Sequence, residues 1–361
     1  MQKKIIALAI ASALTAPALA FADVTVYGLV DLSIDRVSDG ASPSATTFQL
    51  NSNNSRVGVK GSEDLGNGLS AIAQLEGTVA MDAGANTGTT NSPTLLFDRD
   101  TFLGLSSTTA GTVVLGQHDA PYKMATRKLD VFADSLAADN RGSTMMGTKN
   151  AMMGGGHDAR PSNMIGYLSP AMSGFSVAVS SKFGAETAAA NTTKGSGYSL
   201  AGMFEQGPIY ATLAYDTIKF GDAGTGDLGA TGGAAVDDKA TALKVGGSYT
   251  MDAFAVNAVI ERLTYTVAAT GADLKNTNFY LAGKFNISST DAVKAAFTKR
   301  GNTTGATDNA KQYTVGYDHG LSKNTTVYAL YTKITQNGSD PITLVDNPDP
   351  SAVSVGIKHS F

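Results

Sequence analysis

The sequence predicts an all-β chain: a transmembrane antiparallel β-barrel of about 16 strands with short periplasmic turns and long external loops. Three observations carry that prediction. Apolar and polar residues alternate with period two along segment after segment beyond residue 22. Tight and long connectors alternate along the chain. Charged residues collect on one of the two strand faces and avoid the other.

Residues 1–22 stand apart from this pattern. Met1-Gln2-Lys3-Lys4 is a short cationic start, Ile5 to Leu14 is apolar, and Ala20-Phe21-Ala22 is a small-x-small cleavage site. That order marks a secretory signal peptide, with Asp23 first in the mature chain. The apolar run is too short to span a bilayer as a helix. No later stretch of 18 residues lacks charged and polar residues. The chain therefore divides into a signal peptide, 1–22, and one barrel domain, 23–361. An exported chain of this kind is periplasmic, secreted or an outer-membrane barrel.

The alternation comes first among the strand signals. Val24, Val26, Gly28, Val30, Leu32 and Ile34 share one face; Thr25, Tyr27, Asp31, Ser33 and Asp35 share the other. Phe175, Val177 and Val179 alternate with Ser176, Ala178 and Ser180, and Leu243, Val245, Gly247 and Tyr249 with Lys244, Gly246 and Ser248. Phe279, Leu281, Gly283 and Phe285 alternate with Tyr280, Ala282 and Lys284, and Val353, Val355, Ile357 and Phe361 with Ser354, Gly356, Lys358 and Ser360. Successive strand side chains point to opposite faces, so each segment has one apolar and one polar side.

A soluble sandwich alternates too, with its apolar face in a core. The connectors argue otherwise. Tight joins are expected near 64–68, 109–111, 170–174, 207–208, 251–252, 286–290 and 322–324. Long polar segments, rich in Gly, Thr, Asn, Asp and Ala, fall near 36–54, 80–97, 119–162, 184–197, 220–239, 268–275, 301–311 and 336–350. The strict alternation gives short turns on one side of a membrane and long loops on the other.

The polar face argues the same way. It carries Arg56, Lys60, Gln74, Glu76, Arg99, Lys244, Glu261, Lys284, Lys294 and Lys358. Unpaired charge in a packed core is very costly, so these residues fit a water-filled lumen. On the opposite face a Lys or Arg at the bilayer midplane would cost about 2–4 kcal/mol. That face is nearly free of charge in strand centres, with Arg262 the main exception, placed where its side chain can snorkel.

Composition excludes other classes. The net charge is −4; the 27 basic residues less Lys3 and Lys4 leave 25 against 31 acidic ones, which is no footprint for nucleic acid. With no cysteine there is no disulfide, thiolate metal site or cysteine nucleophile. Tryptophan is absent, so Tyr and Phe must form any aromatic girdle. The four histidines, His118, His157, His319 and His359, lie in no metal motif and beside no nucleophile elbow. The sequence therefore predicts neither an enzyme nor a cofactor. An adhesin or specific-uptake barrel would need aromatic residues aligned along the lumen, and Tyr210 and Tyr280 alone make no such track.

Asp23 to Asp31 (DVTVYGLVD), Ser55 to Glu76 (SRVGVKGSEDLGNGLSAIAQLE), Arg99 to Gln117 (RDTFLGLSSTTAGTVVLGQ), Asn163 to Phe175 and His359-Ser360-Phe361 together resemble the trimeric general porins of beta-proteobacteria and Neisseria. The resemblance implies a homotrimer in the outer membrane that passes small hydrophilic solutes and ions by diffusion. It implies that the third external loop, roughly 119–162, folds into the lumen as a constriction. Its acidic residues would be Asp119, Asp130, Asp134 and Asp139, facing basic wall residues Arg56, Lys60, Arg99 and Arg160. It further implies contact with outer-membrane lipid and lipopolysaccharide, and that Phe361 belongs to the signal read by the outer-membrane assembly machinery. Each role has a plainer alternative. A wall cation can be neutralised by a neighbouring carboxylate, a loop aspartate can tether the loop, and Phe361 can be merely the last lipid-facing residue. The loop departs from the family in its Gly and Met content, at Met145-Met146 and Met152-Met153-Gly154-Gly155-Gly156. The hairpin departs too, ending in Gln117-His118 where arginine is frequent. The clustered arginines favour anions; the net charge and the loop aspartates oppose them.

Overall fold

The computed structural model describes residues 23–40, 44–82, 97–140, 155–184, 194–222, 235–337 and 349–361. Residues 1–22, expected to be a signal peptide, and the loop methionines Met145 to Met153 lie outside these residues. The strands follow one another as β1 (Asp23–Ser38), β2 (Thr46–Ser52), β3 (Arg56–Gly66), β4 (Leu69–Thr78), β5 (Thr101–Ser107) and β6 (Gly111–Gln117). After the helix α1 (Pro121–Arg127) come β7 (Met164–Leu168), β8 (Phe175–Phe183), β9 (Ser196–Gln206), β10 (Ile209–Lys219) and β11 (Lys239–Met251). The chain ends with β12 (Phe254–Val267), β13 (Ala272–Asn286), β14 (Asp291–Arg300), β15 (Ala310–Gly320), β16 (Thr325–Gln336) and β17 (Ser351–Ser360).

Sequence neighbours pair antiparallel, and β17 returns to pair with β1, from Leu29 opposite Ser360 to Ser38 opposite Ser351. The sheet thereby closes and leaves no open edge. Strands β2 and β3 are two halves of one stave. Both pair with β1, β3 along Asp23–Leu29 and β2 along Leu32–Ser38, and the stave breaks at Asn54, whose φ is 51°. The seventeen segments are thus a barrel of sixteen staves, as the connectors predict.

All seven expected tight joins fall between paired strands. The expected long segment at 268–275 does not: β12 runs to Val267 and β13 starts at Ala272, which leaves four residues between them. Ala272-Asp273-Leu274-Lys275 is polar because the strand has left the bilayer, and it continues in register opposite Thr264 to Val267. Likewise β1 runs on to Ser38 and β2 starts at Thr46, inside the stretch 36–54 read as loop.

The apolar face turns outward. Val177, Val245 and Leu281 are all exposed, Val245 at 56%. A soluble protein leaves no band of this kind uncovered, whereas a lipid-facing band is what a membrane barrel requires. The buried polar side chains lie inside: Asp31, Asp35, Lys182, Asp216, Lys244 and Glu261 are all on the lumen face.

Candidate channel constriction

After β6 the chain turns into the barrel. Pro121 opens α1, where a missing N–H costs nothing. The helix docks on the inner face of β9–β11, where the inward residues Ala201, Ala214 and Ala242 are small enough to admit Tyr122 and Ala125. Tyr122 donates its O–H to Glu261 (2.7 Å) and its N–H to Ser199 Oγ (2.9 Å), and Tyr210 donates to the Ala125 carbonyl (2.6 Å). Leu129 then packs with Tyr210, Val259, Tyr280 and Ala282, and Phe132 with Leu330, Ile334 and Ala310. The loop therefore carries its own apolar contacts across an otherwise polar tube. Asn257 and Asn53 tie down its backbone, Asn257 by donating to the Leu129 carbonyl (2.8 Å) and Asn53 by accepting from the Leu136 N–H (3.0 Å).

Gly316 on β15 makes room for this crossing: a Cβ there would stand 2.7 Å from the Phe132 ring. Overpacking of this kind costs about 1–3 kcal/mol. Gly316→Val is accordingly expected to displace Phe132 and raise proteolytic cleavage between residues 127 and 140. A cleavage rate equal to that of the native channel would show that Phe132 does not hold the loop.

Around the loop the charges meet in pairs. Arg56 on β3 reaches Asp134 (3.3 Å), which also binds Arg127 (2.9 Å). Arg160 bridges Asp100 (3.1 Å) and Asp119 (2.8 Å); Asp119 also holds Lys123 (2.9 Å), and Asp100 holds His118 (2.7 Å). Arg99 is spent on Glu76 (2.6 Å), whose other oxygen accepts from Tyr27 (2.8 Å). Lys60 lies over the Tyr27 ring at 5.5 Å. The Asp130 side chain accepts from the Tyr280 O–H (3.0 Å) and from the N–H groups of Phe132 and Asn140. Asp139 is buried nearby. Wall and loop residues expected to share a site thus meet at Arg56–Asp134 and Arg160–Asp119, whereas Lys60, Arg99 and Asp130 serve other partners.

These pairs set the protonation of the loop. Burial opposes ionisation of Asp134, but the Arg56 and Arg127 charges outweigh it and hold its carboxyl below the usual range. Burial opposes ionisation of Asp100 as well, and the His118 hydrogen bond with the Arg160 charge holds it well below that range. Asp130 goes the other way: burial, with the Asp139 carboxylate beside it, raises its carboxyl above the ordinary range.

Sequence reasoning missed a second set of contacts on the far side of the lumen. His157, on the loop's returning limb, pairs with Asp216 of β10 (2.7 Å), which also takes Lys182 of β8 (3.3 Å). Lys244 of β11 pairs with Asp158 (2.7 Å) and lies 3.8 Å above the Tyr122 ring. Glu261 of β12, opposite Lys244 in register, accepts from Tyr122 and from Asn278 (2.9 Å). Period two already places these wall residues inward; only their loop partners are hidden from it.

On the turn side of the loop the lumen opens into a cavity of about 590 Å³ lined by Lys128, Lys284, Lys294, Asp318 and Tyr328. It shares Lys284, Asp318 and Thr326 with a second space of about 620 Å³ at the mouth between the tight turns.

A closed barrel with an apolar exterior, a charged wet interior and an inserted loop is a diffusion channel of the outer membrane. The profile of the Gram-negative porins matches residues 7–339, and the chain belongs to that family. It is 28% identical, over the full length of both chains, to outer membrane porin protein 32 of Delftia acidovorans. Among solved structures, the anion-selective porin from Comamonas acidovorans superposes with a TM-score of 0.75 at 23% identity, covering 94% of this chain and 99% of that one. The in-vitro folded outer membrane protein OmpT of Vibrio cholerae, in its trimer form, superposes at 0.68 and 16% identity, covering 94% and 99%. The protein is a porin: a water-filled channel for passive diffusion of small hydrophilic solutes and ions, and not an enzyme.

Proposed function

We propose that this channel prefers anions and that the preference comes from lysines rather than arginines. The observation that carries the reading is an asymmetry of access. Arg56, Arg99 and Arg160 each have a carboxylate partner, and the wall acids Asp31, Asp35 and Glu261 are sunk behind hydrogen bonds. Lys60 and Lys284 are exposed to the lumen, and among the described residues neither has a carboxylate within ion-pair range. A free charge about 4 Å from a passing ion is worth about 1 kcal/mol at the dielectric constant of water, or roughly fivefold in passage. The anion-selective structural relative supports the same sign.

The test is the reversal potential under a salt gradient. Replacing Arg99 and Glu76 together by glutamine removes a neutral pair and is expected to leave the potential in place. Lys60→Gln with Lys284→Gln is expected to move it toward the cation side. A larger shift from the pair than from the lysines would reverse the assignment.

The same reading takes residues 1–22 as a cleaved signal peptide and the working unit as a homotrimer, as in the trimeric Vibrio relative. It places the lipid-facing band against outer-membrane lipid and lipopolysaccharide, and makes Phe361 the element recognised by the assembly machinery.

A further inference from the structure

The outward face of the barrel carries a second arrangement of charge, away from the channel. Lys299 of β14, Lys311 of β15 and Lys333 of β16 lie on three consecutive strands, all at the loop end and all on the face that turns to lipid. Lys299 and Lys311 are direct cross-strand partners, and Lys333 is diagonal to Lys311, two residues before its partner Thr335. Direct partners stand about 5 Å apart at Cβ and diagonal ones about 7–8 Å. Like charges so placed destabilise a sheet unless an anion lies between them. Among the described residues none of the three forms an ion pair. Arg262 adds a fourth outward cation two strands beyond Lys299, opposite Thr277.

An aromatic row fixes the level of these cations. Phe279 is the partner of Lys299, Tyr313 is the partner of both Phe297 and Lys333, and Tyr331 precedes Lys333 by two residues on the same face. The Phe279–Phe297 and Phe297–Tyr313 ring centroids lie 6.5 and 5.2 Å apart. Such a row marks the boundary between hydrocarbon and headgroups, and the three lysines stand beside it on the loop side. The turn end of the same face is of opposite character: its outward ionisable strand residues include Glu63 and Asp291.

We infer that Lys299, Lys311 and Lys333 form a binding site for the phosphate groups of a phosphorylated glycolipid in the outer leaflet, with acyl chains lying along Phe297, Tyr313 and Tyr331. The inference rests on the outer-membrane reading and gives that lipid contact an address. Lysine suits the role, because its ammonium is a mobile point charge that can converge on one phosphate without a fixed fork. The cations are absent from the channel wall, so the site is separate from solute passage.

The experiment is native mass spectrometry of the folded porin in detergent, titrated with bisphosphorylated lipid A, with dephosphorylated lipid A and with inorganic phosphate. The native protein is expected to retain the bisphosphorylated lipid. K299Q/K311Q/K333Q is expected to weaken that binding by about fivefold per lysine, roughly a hundredfold in all. The dephosphorylated lipid is expected to bind both proteins equally weakly. Equal retention of the phosphorylated lipid by the native and triple variants would overturn the site. Displacement of the lipid by millimolar phosphate would also overturn it, showing a simple anion site. Conductance in bilayers, measured on the same samples, keeps the two readings apart. A conducting triple variant proves folding, and a native protein that binds lipid but never conducts would count against the channel alone.

Discussion

In planar bilayers Lys244→Ala is expected to give a larger and noisier conductance step than the native channel. Lys244 is 1% exposed, holds Asp158 at 2.7 Å and covers the Tyr122 ring. It also stands opposite Glu261, which accepts from Tyr122 and Asn278. Taking away the ammonium leaves Asp158 without its partner in a site that water reaches poorly. Breaking a buried pair in this way costs about 3–5 kcal/mol. The barrel does not bear that cost, because its strands keep their ladder. The loop bears it, and local docking is held by far less energy than a whole fold. Both limbs of the loop should then leave the wall of β9–β12. The pair replacement Lys244→Met with Asp158→Leu supplies the control, since exchanging a buried ion pair for apolar residues is often neutral or stabilising. It is expected to keep the native step. A single variant with native conductance and native noise would show that the loop is held elsewhere, with Asp134 and the Phe132 contacts the next places to look.

Which part of this was legible in the sequence follows from the range of the forces involved. A strand's two faces are set residue by residue, so Val245 outward and Lys244 inward could be read from neighbours alone. Tight turns are also local, and all seven fall between the paired strands where the sequence places them. Strand ends were less legible. Outside the bilayer a strand needs no apolar face, and the continuation of β13 through Ala272 looks like loop. The pairings at the constriction were not legible at all. Arg56 meets Asp134 across 78 residues, and Tyr122 meets Glu261 across 139. Period two gives the face of each wall residue but says nothing of the loop that will lie against it. For that reason the sequence could set Arg99 opposite the loop aspartates, with a neighbouring carboxylate as the alternative, but could not name Glu76, on the same face, as its partner.

Phe361→Ala is expected to remove most of the outer-membrane yield in cells while leaving a barrel that refolds in detergent. Two causes could produce a loss in cells, and the structure separates them. Phe361 closes the seam: its N–H donates to the Gly28 carbonyl (3.1 Å), its carbonyl accepts from the Gly28 N–H (3.0 Å), and its ring lies over Gly28. A Cβ at Gly28 would stand 2.3 Å from the ring edge, so only glycine admits it in this position. Alanine at 361 retains both backbone bonds and loses a ring that is half exposed to lipid, which is a small change for a closed sheet of sixteen staves. The seam alone therefore predicts a mild effect, and recognition by the assembly machinery predicts a severe one. Gly28→Val makes the complementary change, leaving the terminal aromatic intact for recognition and pushing its ring off the seam. Overpacking there is expected to lower thermal stability by about 1–3 kcal/mol with near-native yield in cells. Should Gly28→Val lose as much yield as Phe361→Ala, the ring matters as a piece of the seam, and its part in recognition would have to be abandoned.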